Sequence, residues 1–147
     1  MVGAEVTASG SDFVFRMELS SLPTSLAYGN PAVGADYVEY EWALDIDTEG
    51  NGSYELSLTL SYWKAEGAKP GKGHVLAFCT AGLWKVTPSS GELLDDEVGV
   101  EVDGNVIVFT VSGSSLLRDS RLGPRSSFCA RTYLDYGNGT DTDTIVF

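Results

Sequence analysis

The segment at residues 45–51 has the residue types and spacing that bind a hard cation. Its sequence, Asp-Ile-Asp-Thr-Glu-Gly-Asn, places an oxygen-bearing side chain at every second residue and a glycine where the chain can turn sharply. Short loops that wrap Ca²⁺ are built in this way. An EF-hand is excluded, because Leu56 occupies its twelfth position, where a bidentate acidic ligand is required, and strands are predicted on both sides. The segment therefore predicts either a calcium site in a β-protein or an acidic strand end that runs into a turn.

A second acidic cluster follows the Gly-Asn-Gly turn at residues 137–139 and has a similar composition. It is a candidate to complete the first calcium site or to form its own, although two carboxylates alone are weak grounds for a metal. The candidate calcium ligands of both segments are Asp45, Asp47, Glu49, Asn51, Asp141 and Asp143.

Aromatic residues offer a second kind of chemistry. Trp42 is in phase with the apolar residues of its predicted strand, so we expect it in the core. Trp63 breaks the phase of the preceding apolar residues and Trp84 lies beside a turn, while Tyr133 and Tyr136 flank the exit of the last long strand. Large rings exposed on a sheet usually mark binding, and sugar rings stack their apolar C–H faces on such rings. The alternative is that Trp63 and Trp84 cap the ends of the core.

Few residues support catalysis. The single histidine, His74, excludes mechanisms that need a histidine pair or a zinc-binding histidine cluster. Glu39 and Glu41 would lie about 6.5–7 Å apart on one strand face, a separation that a glycosidase can use but that any acidic strand also produces. Cys79 and Cys129 lie in predicted strands and are expected to be buried or bridged to each other. We expect no enzymatic activity, with a small glycosidase as the rival hypothesis.

The elements that position these groups follow from apolar residues that repeat with a period of two. This alternation is clearest at residues 12–19, 37–47 and 54–62, and in the last of these Tyr54 shares the apolar face. One-sided alternation of this kind is typical of antiparallel sheets with one packed and one solvated face. The last long strand is predicted at residues 127–135, and shorter strands are predicted at residues 74–80, 83–86, 98–102, 106–111 and 145–147.

Turn signals separate the strands. Ala81-Gly82 is predicted to interrupt one pair of strands, and Asp103-Gly104-Asn105 to form a three-residue hairpin loop. The best helical candidate is a single turn at residues 114–117. About eight strands with almost no helix predict an all-β, antiparallel β-sandwich, with a closed barrel as the alternative.

Composition bounds the partners. A chain of 147 residues predicts one domain over residues 1–147, and 43% hydrophobic residues can build its core. The net charge of −12 argues against nucleic acid and against an anionic membrane surface, since both need a basic face. No apolar run approaches the roughly 20 residues of a membrane-spanning helix.

Residues 40–51 resemble the Y-x-W-x-x-x-I-D-T-D-x-N segment of extracellular β-sandwich domains related to family 9 carbohydrate-binding modules and the DOMON superfamily. Residues 13–19 with the following Leu22-Pro23, and residues 102–111, look like the strand before and the hairpin after that segment. The resemblance implies a secreted, jelly-roll-like sandwich attached to a polysaccharide-degrading glycoside hydrolase. It also implies structural calcium at Asp45, Asp47, Glu49 and Asn51, with Glu49 standing where the family has Asp.

These observations together predict a non-catalytic carbohydrate-binding module for a neutral plant β-glucan, such as cellulose, mixed-linkage glucan or xyloglucan. A neutral ligand is expected because a protein of charge −12 repels polyanions. The predicted sugar-stacking residues are Trp63, Trp84, Tyr133 and Tyr136. The alternative is a structural or protein-interaction domain of an extracellular multidomain protein, in which Trp63 and Trp84 are buried or face a protein.

Overall fold

The alternating apolar residues form ten strands and one helical turn in the part of the chain that the computed structural model describes, residues 1–22, 39–63, 80–116, 122–135 and 140–146. In chain order these are β1 (Gly3–Ser9), β2 (Asp12–Glu18), β3 (Glu39–Asp47), β4 (Leu56–Trp63), β5 (Thr80–Thr87), β6 (Ser90–Asp95), β7 (Gly99–Asp103), β8 (Val106–Ser112), α1 (Gly113–Leu116), β9 (Ser127–Asp135) and β10 (Thr140–Val146).

The strands form two antiparallel sheets. One has four strands in the order β1-β2-β8-β7, and the other has six in the order β10-β9-β3-β4-β5-β6. This arrangement confirms the predicted all-β sandwich of antiparallel sheets. The pairing of β3 with β9 joins segments that are far apart in the sequence, and it places the acidic strand of the first motif in the interior of the larger sheet.

The core lies between the two sheets and is built from the inward positions of each strand. Phe15 of β2 and Phe109 of β8 are fully buried, as are Leu44 of β3 and Leu58 of β4, and all four belong to one apolar cluster. The ring of Phe15 lies 5.9 Å from that of Phe128 in β9, which places the inner faces of the two sheets in contact. Each such burial stabilises the fold by roughly 1.5–3 kcal/mol relative to exposure.

Trp42 is also buried in this cluster, so the expectation that it belongs to the core is confirmed. Its ring stacks with that of Tyr40, with centroids 6.4 Å apart and an interplanar angle of 16°. Two inward positions of the same strand thus carry aromatic rings, as the period of two requires.

Two turn predictions are wrong. β5 runs without interruption through Ala81-Gly82, and Gly82 pairs with Thr59 as an ordinary strand residue. The β7–β8 hairpin has a loop of two residues, because Asp103 pairs with Val106. Gly104 adopts φ +58°, as expected for the first central residue of a type II′ turn.

β9 spans 127–135 as expected, but the strand predicted at residues 145–147 begins five residues earlier, because β10 runs over Thr140–Val146. The boundaries of β2, β3, β4, β7 and β8 lie within two residues of the prediction. The strands β1 and β6 were not predicted, because both lie at sheet edges and show little alternation of buried and exposed residues. The predicted strand at residues 74–80 lies outside the described residues except for its last residue. Within the described ranges, the structure contains no helix of the length and apolarity needed to cross a membrane.

Candidate functional site

The side chains that can do chemistry gather on the outer face of the six-stranded sheet, opposite the core. Successive strands place Trp84 beside Ser57, Ser57 beside Asp45, and Asp45 beside Cys129. Leu93 of β6 extends this row beyond Trp84. Because neighbouring strands lie about 4.8 Å apart, the row from Leu93 to Cys129 covers about 19 Å at right angles to the strands.

Trp84 lies along its own strand on this face. Its indole Nε1 donates a hydrogen bond of 3.0 Å to Oγ1 of Thr59. The two ends of the indole cover glycines: a Cβ added to Gly82 would lie 3.0 Å from Nε1, and one added to Gly91 would lie 3.6 Å from Cε3. Since both glycines leave room for it, the half-buried ring lies over the backbone at these two positions.

Two apolar side chains adjoin the indole. Val86 follows Trp84 on the same face of β5 and is 37% exposed. Leu93, the register partner of Trp84 in β6, is 45% exposed. We call Trp84, Val86 and Leu93 the Trp84 platform. An exposed platform of this kind is the feature of a sheet surface that most often marks binding.

A groove with both polar and apolar walls continues the row beyond the platform. It has a volume of about 600 Å³, within the range of small-ligand sites, and it shares Val86 with the platform. Its walls carry carboxylate, hydroxyl and guanidinium groups that can donate and accept hydrogen bonds. The lining residues are Asp45, Ser53, Tyr54, Glu55, Ser57, Val86, Thr87, Pro88 and Arg131.

Arg131 fixes the carboxylates at one end of the groove. It lies opposite the fully buried Ala43, between Glu41 and Asp45 on the same face of β3. One guanidinium nitrogen lies 2.9 Å from Glu41 Oε1, and Nε donates to Asp45 Oδ2 at 2.9 Å. Ser57 Oγ donates to the other oxygen of Asp45 at 2.6 Å. Burial opposes the charge of Arg131, but the two carboxylates prevail and raise its pKa.

Tyr54 forms a wall of the groove, which corrects its predicted place on the apolar face. The alternation of β4 begins only at Leu56, so the strand does not fix the direction of Tyr54. Its hydroxyl bonds to Cys129, a free and buried thiol in the same row as Asp45. Burial raises the pKa of the Tyr54 hydroxyl. It also raises the pKa of the Cys129 thiol, because this effect is larger than the opposite effect of the hydrogen bond with Tyr54. Both groups therefore stay protonated at neutral pH.

The loop after β3 folds around the carboxylate of Asp47. One oxygen, Oδ1, accepts the backbone N–H groups of Glu49, Gly50 and Asn51 at 3.1, 2.6 and 3.3 Å, and Oδ2 accepts that of Gly52 at 2.7 Å. Burial of this side chain raises its pKa, but the four N–H groups outweigh that effect and lower the pKa below its ordinary value. Gly50 and Gly52 supply the positive φ values, +70° and +86°, that the loop requires.

Four of the other candidate calcium ligands, Asp45, Glu49, Asn51 and Asp143, are engaged as well. Asp45 is held by Arg131 and Ser57, as described above. The side-chain amide of Asn51 donates to Glu49 Oε2 at 3.0 Å, and its Oδ1 accepts the backbone N–H of Ser53 at 2.8 Å. Asp143 accepts a hydrogen bond from the amino group of Met1.

The second acidic cluster is not brought to this loop. Asp143 pairs with Thr132 of β9, whereas Asp47 pairs with Ser127, five residues and about 17 Å further along the strand. Asp141 lies in β10, but its side chain is outside the described residues. In the described ranges no three His, Cys, Asp or Glu side chains are grouped as metal ligands. As arranged here, the oxygens of Asp47 face four backbone N–H groups and those of Asp45 face Arg131 and Ser57, so these two carboxylates do not fit a shared calcium ion.

The remaining predicted residues are distributed as follows. Tyr133 is half-buried in β9 opposite Glu41, on the same face as Arg131. Trp63 ends β4, but its side chain lies outside the described part of the chain, as do Tyr136, Cys79 and His74. Of the four predicted stacking residues, Trp84 and Tyr133 thus share one sheet face.

Sequence reasoning missed Arg131 and Tyr54. The only signal for Arg131 was a lone cation at an alternate position of a predicted strand, because its partners become visible only when β9 is placed beside β3. Tyr54 gave the opposite signal, since it continued the alternation of the following strand.

In comparisons with known proteins, no protein-family model, curated protein or solved structure matches the chain.

Proposed function

We propose that this chain is a non-catalytic carbohydrate-binding module that binds a neutral β-glucan across the outer face of its six-stranded sheet. The observation that carries the proposal is the half-buried indole of Trp84, which lies over two glycines beside a groove whose walls carry hydrogen-bonding groups. In this proposal the chain is secreted and attached to a glycoside hydrolase, as the resemblance at residues 40–51 implies.

The platform suits the apolar face of a sugar ring. Thr59 anchors the indole, which fills the space above Gly82 and Gly91 together with Leu93 Cδ1 above Gly82, so the ring is held in place before a ligand binds. Groups that are already in place lose little conformational entropy on binding. By analogy with the stacking of bases on aromatic side chains, the contact contributes roughly 1–3 kcal/mol.

The groove suits the hydroxyl groups of the same ligand. Asp45 is oriented by Arg131 and Ser57, and Glu55 lies on the adjoining wall. Fixed carboxylates accept hydrogen bonds from hydroxyls, and such charge-assisted bonds are the stronger ones. With Glu41, the site carries three carboxylates around one guanidinium, and this excess of negative charge favours a neutral sugar over a uronic acid.

The row also sets the direction and extent of the ligand. Trp84 and Asp45 are separated by two strand spacings, about 10 Å, so a ligand that contacts both runs across the strands and is longer than one sugar ring. An oligosaccharide is therefore expected to bind more tightly than its monosaccharide.

Affinity electrophoresis through gels that contain soluble cellulose derivatives, mixed-linkage glucan, xyloglucan or pectin tests the proposal. One neutral glucan is expected to retard the wild type but not Trp84→Ala. The control is Val108→Ala, which alters the outer face of the other sheet and is expected to be retarded like the wild type. The proposal is rejected if no glucan retards the protein, or if Trp84→Ala folds normally and is retarded as strongly as the wild type.

The exposed Val86 and Leu93 at the sheet edge favour a second candidate, a structural or protein-interaction domain of an extracellular protein. In that case no sugar changes the tryptophan fluorescence. A small glycosidase is the third reading, and a lack of reducing-sugar release over long incubation with a bound glucan removes it.

A further inference from the structure

The loop at residues 48–52 has the sequence of a calcium loop but not its hydrogen bonding. We infer that the carboxylate of Asp47, and not a bound cation, closes this loop and holds the adjoining wall of the groove. The inference concerns how the groove is built, and only its last step, the effect on ligand binding, rests on the proposed function.

The direction of the backbone N–H groups carries the inference. Four of them, from residues 49 to 52, point at the two oxygens of Asp47. A cation bound to those oxygens would lie against four hydrogens that carry partial positive charge. Calcium needs six to eight oxygen ligands at about 2.3–2.6 Å, so the peptide units would have to turn away before it entered. Here the anionic side chain occupies the centre that a cation takes in a calcium loop.

The packing of the loop leaves little freedom for such a turn. Asp47 is buried, and a Cβ at Gly50 would overlap the carbonyl oxygen of Arg125, so the neighbouring segment lies directly against the loop. Ser126 Oγ also donates to the carbonyl oxygen of Thr48 at 3.1 Å. The loop is thus held from outside as well as from its centre.

The same loop supports the groove. The N–H and hydroxyl groups of Thr48 both donate to Glu55 Oε2, at 2.8 and 3.0 Å. The carbonyl oxygen of Glu55 accepts the N–H of Val86 at 2.8 Å, and this bond connects the loop to the Trp84 platform. Asp47 is therefore a positioning residue, because it acts on the groove through Thr48 and Glu55 without lining it.

Thermal unfolding tests the inference without any sugar. The wild-type melting temperature is expected to be the same with EDTA and with millimolar Ca²⁺, and calorimetry with Ca²⁺ alone is expected to show no binding. Asp47→Asn keeps one acceptor but places an NH₂ group toward an N–H donor, so its melting temperature is expected to fall by several degrees and to stay low in Ca²⁺. Glu49→Gln is the control, because Glu49 is exposed and its carboxylate accepts a hydrogen bond from the side-chain amide of Asn51 without taking part in the Asp47 contacts, and it is expected to melt like the wild type.

A fall of the wild-type melting temperature in EDTA that Ca²⁺ restores overturns the inference, and so does an Asp47→Asn variant that melts like the wild type. If Asp47→Asn does not fold, the EDTA and calorimetry results on the wild type decide alone. These measurements are independent of carbohydrate, so their failure and the failure of the proposed function are separately visible. If both proposals hold, EDTA leaves the retardation of the wild type by a glucan unchanged.

Discussion

Replacing Arg131 by Met removes the cation that joins Glu41 to Asp45 and keeps a side chain of similar length. The three side chains are 26%, 18% and 16% exposed, so water can reach the two carboxylates only in part once they lose their partner. A hydrogen bond to a charged group contributes about 1.5–3 kcal/mol, and loss of one partner of a fully buried pair costs about 3–5 kcal/mol. Because the three side chains are partly exposed, solvent reduces this cost, and we expect Arg131→Met to lower the free energy of unfolding by about 2–3 kcal/mol.

The expected change in melting temperature follows from chain length. An unfolding entropy of about 2.1 cal/mol/K per residue gives about 0.3 kcal/mol/K for 147 residues. The melting temperature of Arg131→Met is therefore expected to fall by about 6–10 °C, measured by calorimetry or by circular dichroism at low ionic strength.

Arg16 offers a matched control on the other sheet. It also pairs with two carboxylates, at 3.9 Å from Glu5 and 3.1 Å from Glu18, but it is 39% exposed and its partners are 62% and 43% exposed. Exposed pairs contribute only about 0–1 kcal/mol, so Arg16→Met is expected to shift the melting temperature by less than about 3 °C. If the two variants melt alike, burial does not strengthen the Arg131 contacts and the reasoning is refuted.

Two further predictions concern the loop after β3. Because the pKa of Asp47 is lowered in the folded state, its stabilising effect is fully present above the unfolded-state value of 3.8 and is lost as the pH falls through the folded-state pKa. The difference in free energy of unfolding between wild type and Asp47→Asn, measured in urea, is therefore expected to disappear as the pH falls from about 5 to about 2. A difference that stays constant over this range contradicts the prediction. Gly10 and Gly50 both have positive φ, but of these two only Gly50 lies against a backbone carbonyl oxygen, that of Arg125. Gly50→Ala is therefore expected to lower the free energy of unfolding by more than the roughly 1–2 kcal/mol of the control Gly10→Ala. Equal losses in urea unfolding contradict a role of that contact.

The fold was largely predictable because burial imposes a period of two on every central strand. The range of β9 and the inward position of Trp42 both followed from that period. The edge strand β6 did not, since an edge that is mostly exposed on both faces has no alternation to detect. Gly82 was read as a break because the sequence does not show that an indole covers it.

The candidate site was only partly predictable, because its residues meet through strand register. Arg131 and Asp45 are 86 residues apart, and no local pattern relates them. A shift of β9 by one residue against β3 would turn Arg131 to the core, so the ion pair depends on a register that the whole sheet sets. The sequence singles out Trp84 by a predicted turn at Ala81-Gly82 that is part of β5 in the structure, and the position of its ring depends on Gly91 in the next strand.

The loop at residues 45–51 shows why a motif of ligand types can mislead about its ligand. A calcium loop needs oxygen-bearing side chains at alternate positions, whereas a loop closed by its own carboxylate needs only one of them, and both need glycines with positive φ to turn tightly. They differ in the direction of the peptide groups, since a cation is met by oxygens and an anion by N–H groups. Here the N–H groups of residues 49–52 meet Asp47, so one buried carboxylate accounts for the two glycines and the sharp turn together. Residues 45–51 satisfy the requirements of both loops, and only the direction of the peptide groups separates them.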